Sequence, residues 1–101
     1  MSEYTRVGKM KDAHGIRGEL FLILFAGEAA WLKQLTKVRL VKESGELGGE
    51  FTVKSARPHK NGLIVKTEEI KDRNFAETLK GLLFEIPSSF LISKPGEQMY
   101  L

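Results

Sequence analysis

Residues 20–25 read Leu-Phe-Leu-Ile-Leu-Phe, an apolar run with no charge and no turn residue inside it. A run this short cannot span a bilayer or stand as a helix alone, but it matches the length of a buried strand. Side chains alternate across a strand, so a run that is apolar at both parities needs cover on both faces. One face can fill the inside of a barrel. The other calls for a helix, a second domain or a partner. The rest of the chain is then expected to supply strands that close around residues 19–26.

The flanking segments are suited to that. "TRVGKMKD" at 5–12 alternates loosely, with Val7 as its main apolar anchor and Met10 out of phase. "KVRLV" at 37–41, "FTVKSARPH" at 51–59 and "LLFEI" at 82–86, stopped by Pro87, read as further strands. Within "HKNGLIVKT", Asn61-Gly62 precedes an apolar run and predicts a hairpin with a type I′ turn. "ESGELGGE" at 43–50 reads as a flexible connection.

Two segments carry helical signals. "EAAWLKQL" at 28–35 is expected as a short helix or turn, with Trp31, Leu32 and Leu35 on one face to plug a barrel end. Asp72 can cap a helix that Gly81 ends, with Phe75, Ala76 and Leu79 as its apolar stripe and Arg73 and Glu77 one turn apart. The chain thus reads as mainly β: a small six-stranded antiparallel β-barrel with one or two short helices.

Composition narrows the function classes. A chain of 101 residues makes one domain. It has no cysteine, which excludes a disulfide scaffold, a thiol nucleophile and cysteine-ligated zinc. There is no basic-then-apolar leader at the N-terminus, and a cytoplasmic location is expected. A net charge of +3 is compatible with an RNA partner without demanding one.

The densest motif is "AHGIRGEL" at 13–20, between two expected strands. Its Gly-Ile-Arg-Gly matches the GxxG clamp of RNA-binding KH domains, but that clamp joins two helices and this one feeds a strand. The plainer reading is a bend whose glycines supply positive φ or let another backbone come close. His14 and His59 could in principle ligate a metal or act as a base. Without a carboxylate cluster at ligand spacing, they read instead as a turn residue and a hairpin residue. Arg17 and Arg57 with Lys9, Lys11 and Lys60 would form a basic face if 5–12 and 51–59 lay close; scattered surface charge explains them equally well. No nucleophile elbow or phosphate loop is present, so neither a catalytic site, a metal nor a cofactor is expected.

Two separated blocks resemble one family. "RVGKMKDAHGIRGELFLILF" is similar to the opening of ribosome maturation factors of the RimM family, and "RPHKNGLIVKTEEIKDRNFAETLKGLLFEI" to a later block of the same family. The resemblance implies a translation-protein-type barrel of six strands in a non-enzymatic assembly factor. Such a factor supports maturation of the 30S head and 16S rRNA processing. It further implies as partners the immature small subunit, small-subunit ribosomal protein nineteen and 16S rRNA, with no membrane or small-molecule substrate. A second, PRC-type barrel follows in that family, so 1–88 is expected as the N-terminal barrel and 89–101 as the linker toward a missing second one. The usual Thr-Asp after the second strand is replaced here by "AGEAAWL".

On this reading Arg17 is the expected main polar contact, on a loop shaped by Gly15 and Gly18. His14 and Glu19 would orient that loop, and Lys60 and Arg73 would add phosphate contacts. An exposed apolar patch is expected from part of 20–26 and the 90–101 tail, Phe90, Leu91, Ile92, Met99 and Leu101 included. An independent RNA-binding barrel is the first alternative. A flavin-reductase-like enzyme is the second, although no cofactor motif is present.

Overall fold

The computed structural model describes residues 3–26 and 29–91. Six strands, β1 (Tyr4–His14), β2 (Glu19–Leu24), β3 (Lys37–Val41), β4 (Leu47–His59), β5 (Gly62–Thr67) and β6 (Leu83–Pro87), close into a barrel in the order β1-β2-β5-β4-β3-β6. Every neighbouring pair is antiparallel. One short helix, α1 (Arg73–Glu77), lies between β5 and β6, and 3₁₀ turns occupy Leu32–Gln34 and Ser88–Leu91.

The apolar run behaves as half of the expectation. Leu20, Leu22 and Leu24 are buried inside the barrel with Leu40, Leu63 and Phe84. Phe21 and Ile23, of the opposite parity, are only half-buried, and Phe25 lies past the strand end, 62% exposed. Among the described residues no helix covers that outer face lengthwise; α1 packs at its turn end.

β1 departs from simple alternation. Its register slips between Arg6 and Gly8 against β6, and again between Met10 and Asp12 against β2. Each bulge adds a residue and switches which parity points inward. Met10 is therefore fully buried and Val7 only partly so, which reverses the expected anchor.

The stretch 43–50 is also not a loop throughout, because β4 begins at Leu47 and pairs Gly49 with Leu40 and Glu50 with Arg39. The glycines there are occupied space: a Cβ on Gly48 would sit 2.7 Å from the Leu82 side chain, and one on Gly49 2.7 Å from the Phe51 ring. Large neighbours lie over the bare backbone, so glycine marks strand packing here instead of flexibility.

Both barrel ends are closed by predicted residues. Trp31 and Leu35 are buried, and the Trp31 ring meets Phe84 edge-on at 5.9 Å. At the other end Asp72 accepts a 2.8 Å bond from the Phe75 N–H and starts α1. The helix stops at Glu77 instead of reaching Gly81, which takes φ +90 in the turn beyond it. Ala76 and Leu79 are buried, whereas Phe75 is 42% exposed and rests edge-on against Phe51. On the far side of the barrel Glu85 of β6 bridges Arg6 of β1 at 3.5 Å and Arg39 of β3 at 3.2 Å, fixing the register of three strands.

Candidate functional site

The β1–β2 turn holds most of the expected site residues. Gly15 and Gly18 have φ of +78 and +79, so each occupies the left-handed region that disfavours a side chain. They differ in surroundings. Nothing approaches Gly15, while a Cβ on Gly18 would collide with the Asp72 carbonyl and lie 3.1 Å from Ile70. The Arg73 N–H donates to the Ile16 carbonyl at 3.1 Å, so the loop is tied to the start of α1 through backbone atoms. His14 and Glu19 close the hairpin as a register pair. Ile16 at the tip is 84% exposed, a feature the sequence reading did not single out.

Arg17 projects from this turn to the rim of an open depression of about 270 Å³. Lys54, Lys66 and Lys71 line the same depression, with Glu68 the acidic side chain beside them. The four cations come from four segments: the β1–β2 turn, a bulge in β4 between Val53 and Ser55, the outward face of β5, and the loop before α1. Among the described residues none of the four has a carboxylate within 4.0 Å, whereas Arg6, Arg39, Lys42, Arg73 and Lys80 all do.

The loop that carries Lys71 is firmly held. Thr67, buried, accepts the Ile70 N–H at 3.3 Å, and Glu69 accepts both the N–H and the hydroxyl of Thr52 at 2.8 Å. These bonds hold the Glu69 carboxyl below its usual value of 4.5, the Thr52 N–H contributing most. Uncompensated like charges held on a rigid frame resist folding slightly, and they form a ready electrostatic seat for an anion.

Two other expected residues lie away from the depression. Arg73 is engaged with Glu77 at 2.7 Å. Lys60 sits at the β4–β5 tip with φ 54, the one described non-glycine residue with positive φ. The pairing of His59 with Gly62 makes Lys60-Asn61 the two-residue loop, one step earlier than the expected Asn61-Gly62. Gly62 is needed for a different reason: a Cβ there would strike the Leu22 carbonyl. The basic face imagined from Lys9, Lys11 and Arg57 does not assemble, because β2 and β5 separate β1 from β4.

His14 and His59 do come together. Their ring centroids are 5.5 Å apart, and Phe21 meets His59 edge-on at 5.5 Å. Burial, then Lys60, His14 and Arg57, lower the His59 pKa below its usual 6.5, so the ring is neutral at pH 7. Among the described residues no group of three or more His, Cys, Asp or Glu side chains could hold a metal ion, and no helix is long and apolar enough to cross a membrane.

The expected apolar patch is present in part. Phe25 and Leu91, the latter 49% exposed, face a common groove with Val7 and Trp31, while Phe90 packs partly against the core. Ile92, Met99 and Leu101 lie outside the described residues.

The sequence pattern that defines the RimM N-terminal domain matches residues 5–91. A ribosome maturation factor RimM from Bdellovibrio bacteriovorus is 43% identical over 99% of this chain and 56% of its own length. One from Dechloromonas aromatica is 32% identical over 93% of this chain and 55% of its own length. The chain thus spans about half the length of these relatives. A crystal structure of a RimM 16S ribosomal RNA processing protein from Pseudomonas aeruginosa superposes with a TM-score of 0.71 at 28% identity, covering 85% of this chain and 51% of that one. The solution structure of the RimM N-terminal domain from Thermus thermophilus gives a TM-score of 0.66 over 91% of this chain and 98% of that one; at 18% identity it speaks for the fold alone.

Proposed function

The chain belongs to the RimM family through its N-terminal domain, and on that premise we propose that it is a ribosome-docking barrel of a maturation factor for the small subunit. It works without covalent chemistry, by binding immature ribonucleoprotein at the 30S head and favouring one arrangement of it over others. The observation that carries this reading is the convergence of Arg17, Lys54, Lys66 and Lys71 on one depression, without ion-pair partners among the described residues. Phosphate oxygens of 16S rRNA are the chemistry that such a seat complements.

Gly15 and Gly18 shape the loop that offers Arg17, and His14 and Glu19 brace its base. Lys60, at the β4–β5 tip, and Arg73, already paired with Glu77, are proposed as outlying phosphate contacts away from the depression. Small-subunit ribosomal protein nineteen is the protein partner this reading carries over from the family, and the cytoplasm its location. Residues 89–101 are proposed as the connection to a PRC-type second barrel.

Co-sedimentation with immature small subunits tests the reading, comparing this chain, its Arg17→Ala variant and a version extended past Leu101. Loss of pelleting with Arg17→Ala, at low and moderate salt, is the expected result. Equal pelleting of wild type and variant would remove Arg17 from the site. A chain that binds bare RNA as well as it binds immature subunits would favour the independent RNA-binding barrel instead.

A further inference from the structure

The outer face of β2 and β5 holds a second, differently built surface. Ile64 is 2% exposed yet lies outside the interior cluster, so it is covered from the outside of the barrel. Around it the rings of His14, Phe21 and His59 gather from three strands and remain half exposed. Arg57 stands opposite Ile64 in register, and Lys60 follows His59 at the hairpin tip; neither has a carboxylate within 4.0 Å among the described residues.

Several observations bear on what such a surface takes. Among the described residues the two histidines have no third ligand, which argues against a metal. The lowered proton affinity of His59 leaves a neutral ring, suited to stacking more than to pairing with phosphate. Lys60 is held at a positive φ that glycine or asparagine would adopt at less strain, and such strain gathers where a side chain must be presented. The surface is also continuous with the cationic depression: Lys66 lies two residues from Ile64 along β5, roughly 6.6 Å away on the same face.

We infer that the His14–Phe21–His59 face is a stacking platform for one unpaired nucleobase of single-stranded RNA, whose backbone continues past Arg57 and Lys66 into the depression. The inference rests on the RNA-directed reading above and goes further, because it separates a base-binding element from a phosphate-binding one. Aromatic faces paired with a cationic track are the usual means of holding single strands without sequence preference.

The test uses short single-stranded RNA carrying one 2-aminopurine, titrated with the wild-type chain, His59→Gln, Phe21→Leu and the double variant Lys54→Gln/Lys66→Gln. Binding by wild type is expected to quench the probe. Phe21→Leu and His59→Gln should each abolish the quench and weaken binding roughly 5- to 150-fold, the span for loss of one stacked base, with the salt dependence unchanged. The lysine variant should flatten the salt dependence and keep the quench. His59→Gln leaves the interior untouched and so guards against Phe21→Leu failing to fold.

Ring variants that bind and quench as wild type does would overturn the platform while leaving the phosphate seat standing. Ring variants that bind RNA normally but lose their grip on immature subunits would assign the face to a protein, which also overturns it. No binding of RNA by any form would overturn the platform, whereas the docking reading stands or falls separately on co-sedimentation with immature subunits.

Discussion

Single residues in the β1–β2 turn divide into those that set its shape and those that use it. Gly15→Ala meets only the cost of a positive φ, about 1 kcal/mol, whereas Gly18→Ala adds a collision with the Asp72 carbonyl and should cost roughly 2–4 kcal/mol. Urea denaturation of the two variants separates these values. Lys60 presents the opposite case: Lys60→Gly relieves a strained φ and is expected to raise stability by about 0.5–1 kcal/mol while removing a cation from the RNA-facing surface. Titration adds a pH signature. His59 binds its proton less readily in the fold than at its usual 6.5, so the unfolded chain gains more protons as pH falls. The stability its neutral ring contributes is lost from about pH 6.5 down through the folded value. Glu69 and Asp12 act in a more acid window. The Thr52 bonds and the Ala13 N–H hold them below 4.5 and 3.8, so their contribution is present above those values and is lost as pH falls through the folded ones. The urea midpoint should therefore decline in two steps on acidification, and His59→Gln should erase the first step alone.

At the scale of elements, irregular pairing decides how much could be read beforehand. The six strands followed from alternation and turn chemistry, and so did the plug at Trp31 and the Asp72 cap of α1. That α1 closes the other end did not, and the β4–β5 turn lies one residue earlier than expected. The bulges did not follow either, because an inserted residue leaves no mark in a single sequence. That is why Met10 took the place expected of Val7, and why Lys54 entered a site whose cations had been sought in Arg17, Lys60 and Arg73. Gly48 was misread as loop because Leu82, which lies over it, is distant in sequence, and Gly49 because its place under the Phe51 ring shows only once both lie in one strand. Arg17, Gly15 and Gly18 were legible because they sit in one short motif; the lysines that join Arg17 come from separate elements. Two variants probe the elements directly. Asp72→Ala removes the cap of α1 and should cost about 1 kcal/mol. Lys66→Gln relieves uncompensated charge between β4 and β5 and should leave stability equal or up to about 0.5 kcal/mol higher at low salt, as measured by thermal unfolding.

The whole molecule is a ring with a plug at each end, and its parts depend on closure. Trp31, the single tryptophan, lies at one end and α1 at the other; tryptophan fluorescence reports the Trp31 end, and far-ultraviolet circular dichroism reports the strands of the whole ring. Coincident midpoints for the two signals are expected in urea, as for a domain that unfolds as a unit. The ring is sealed where β1 meets β6, pairing Tyr4 with Pro87 and Thr5 with Ile86, with the Thr5 and Ser88 hydroxyls 2.7 Å apart beside them. The first strand synthesised must therefore wait for the last. While the chain is still being translated, β1 and the apolar β2 can form a hairpin but cannot shut away its inner face, so the nascent barrel depends on speed of completion, or on a chaperone, until residue 87 has emerged.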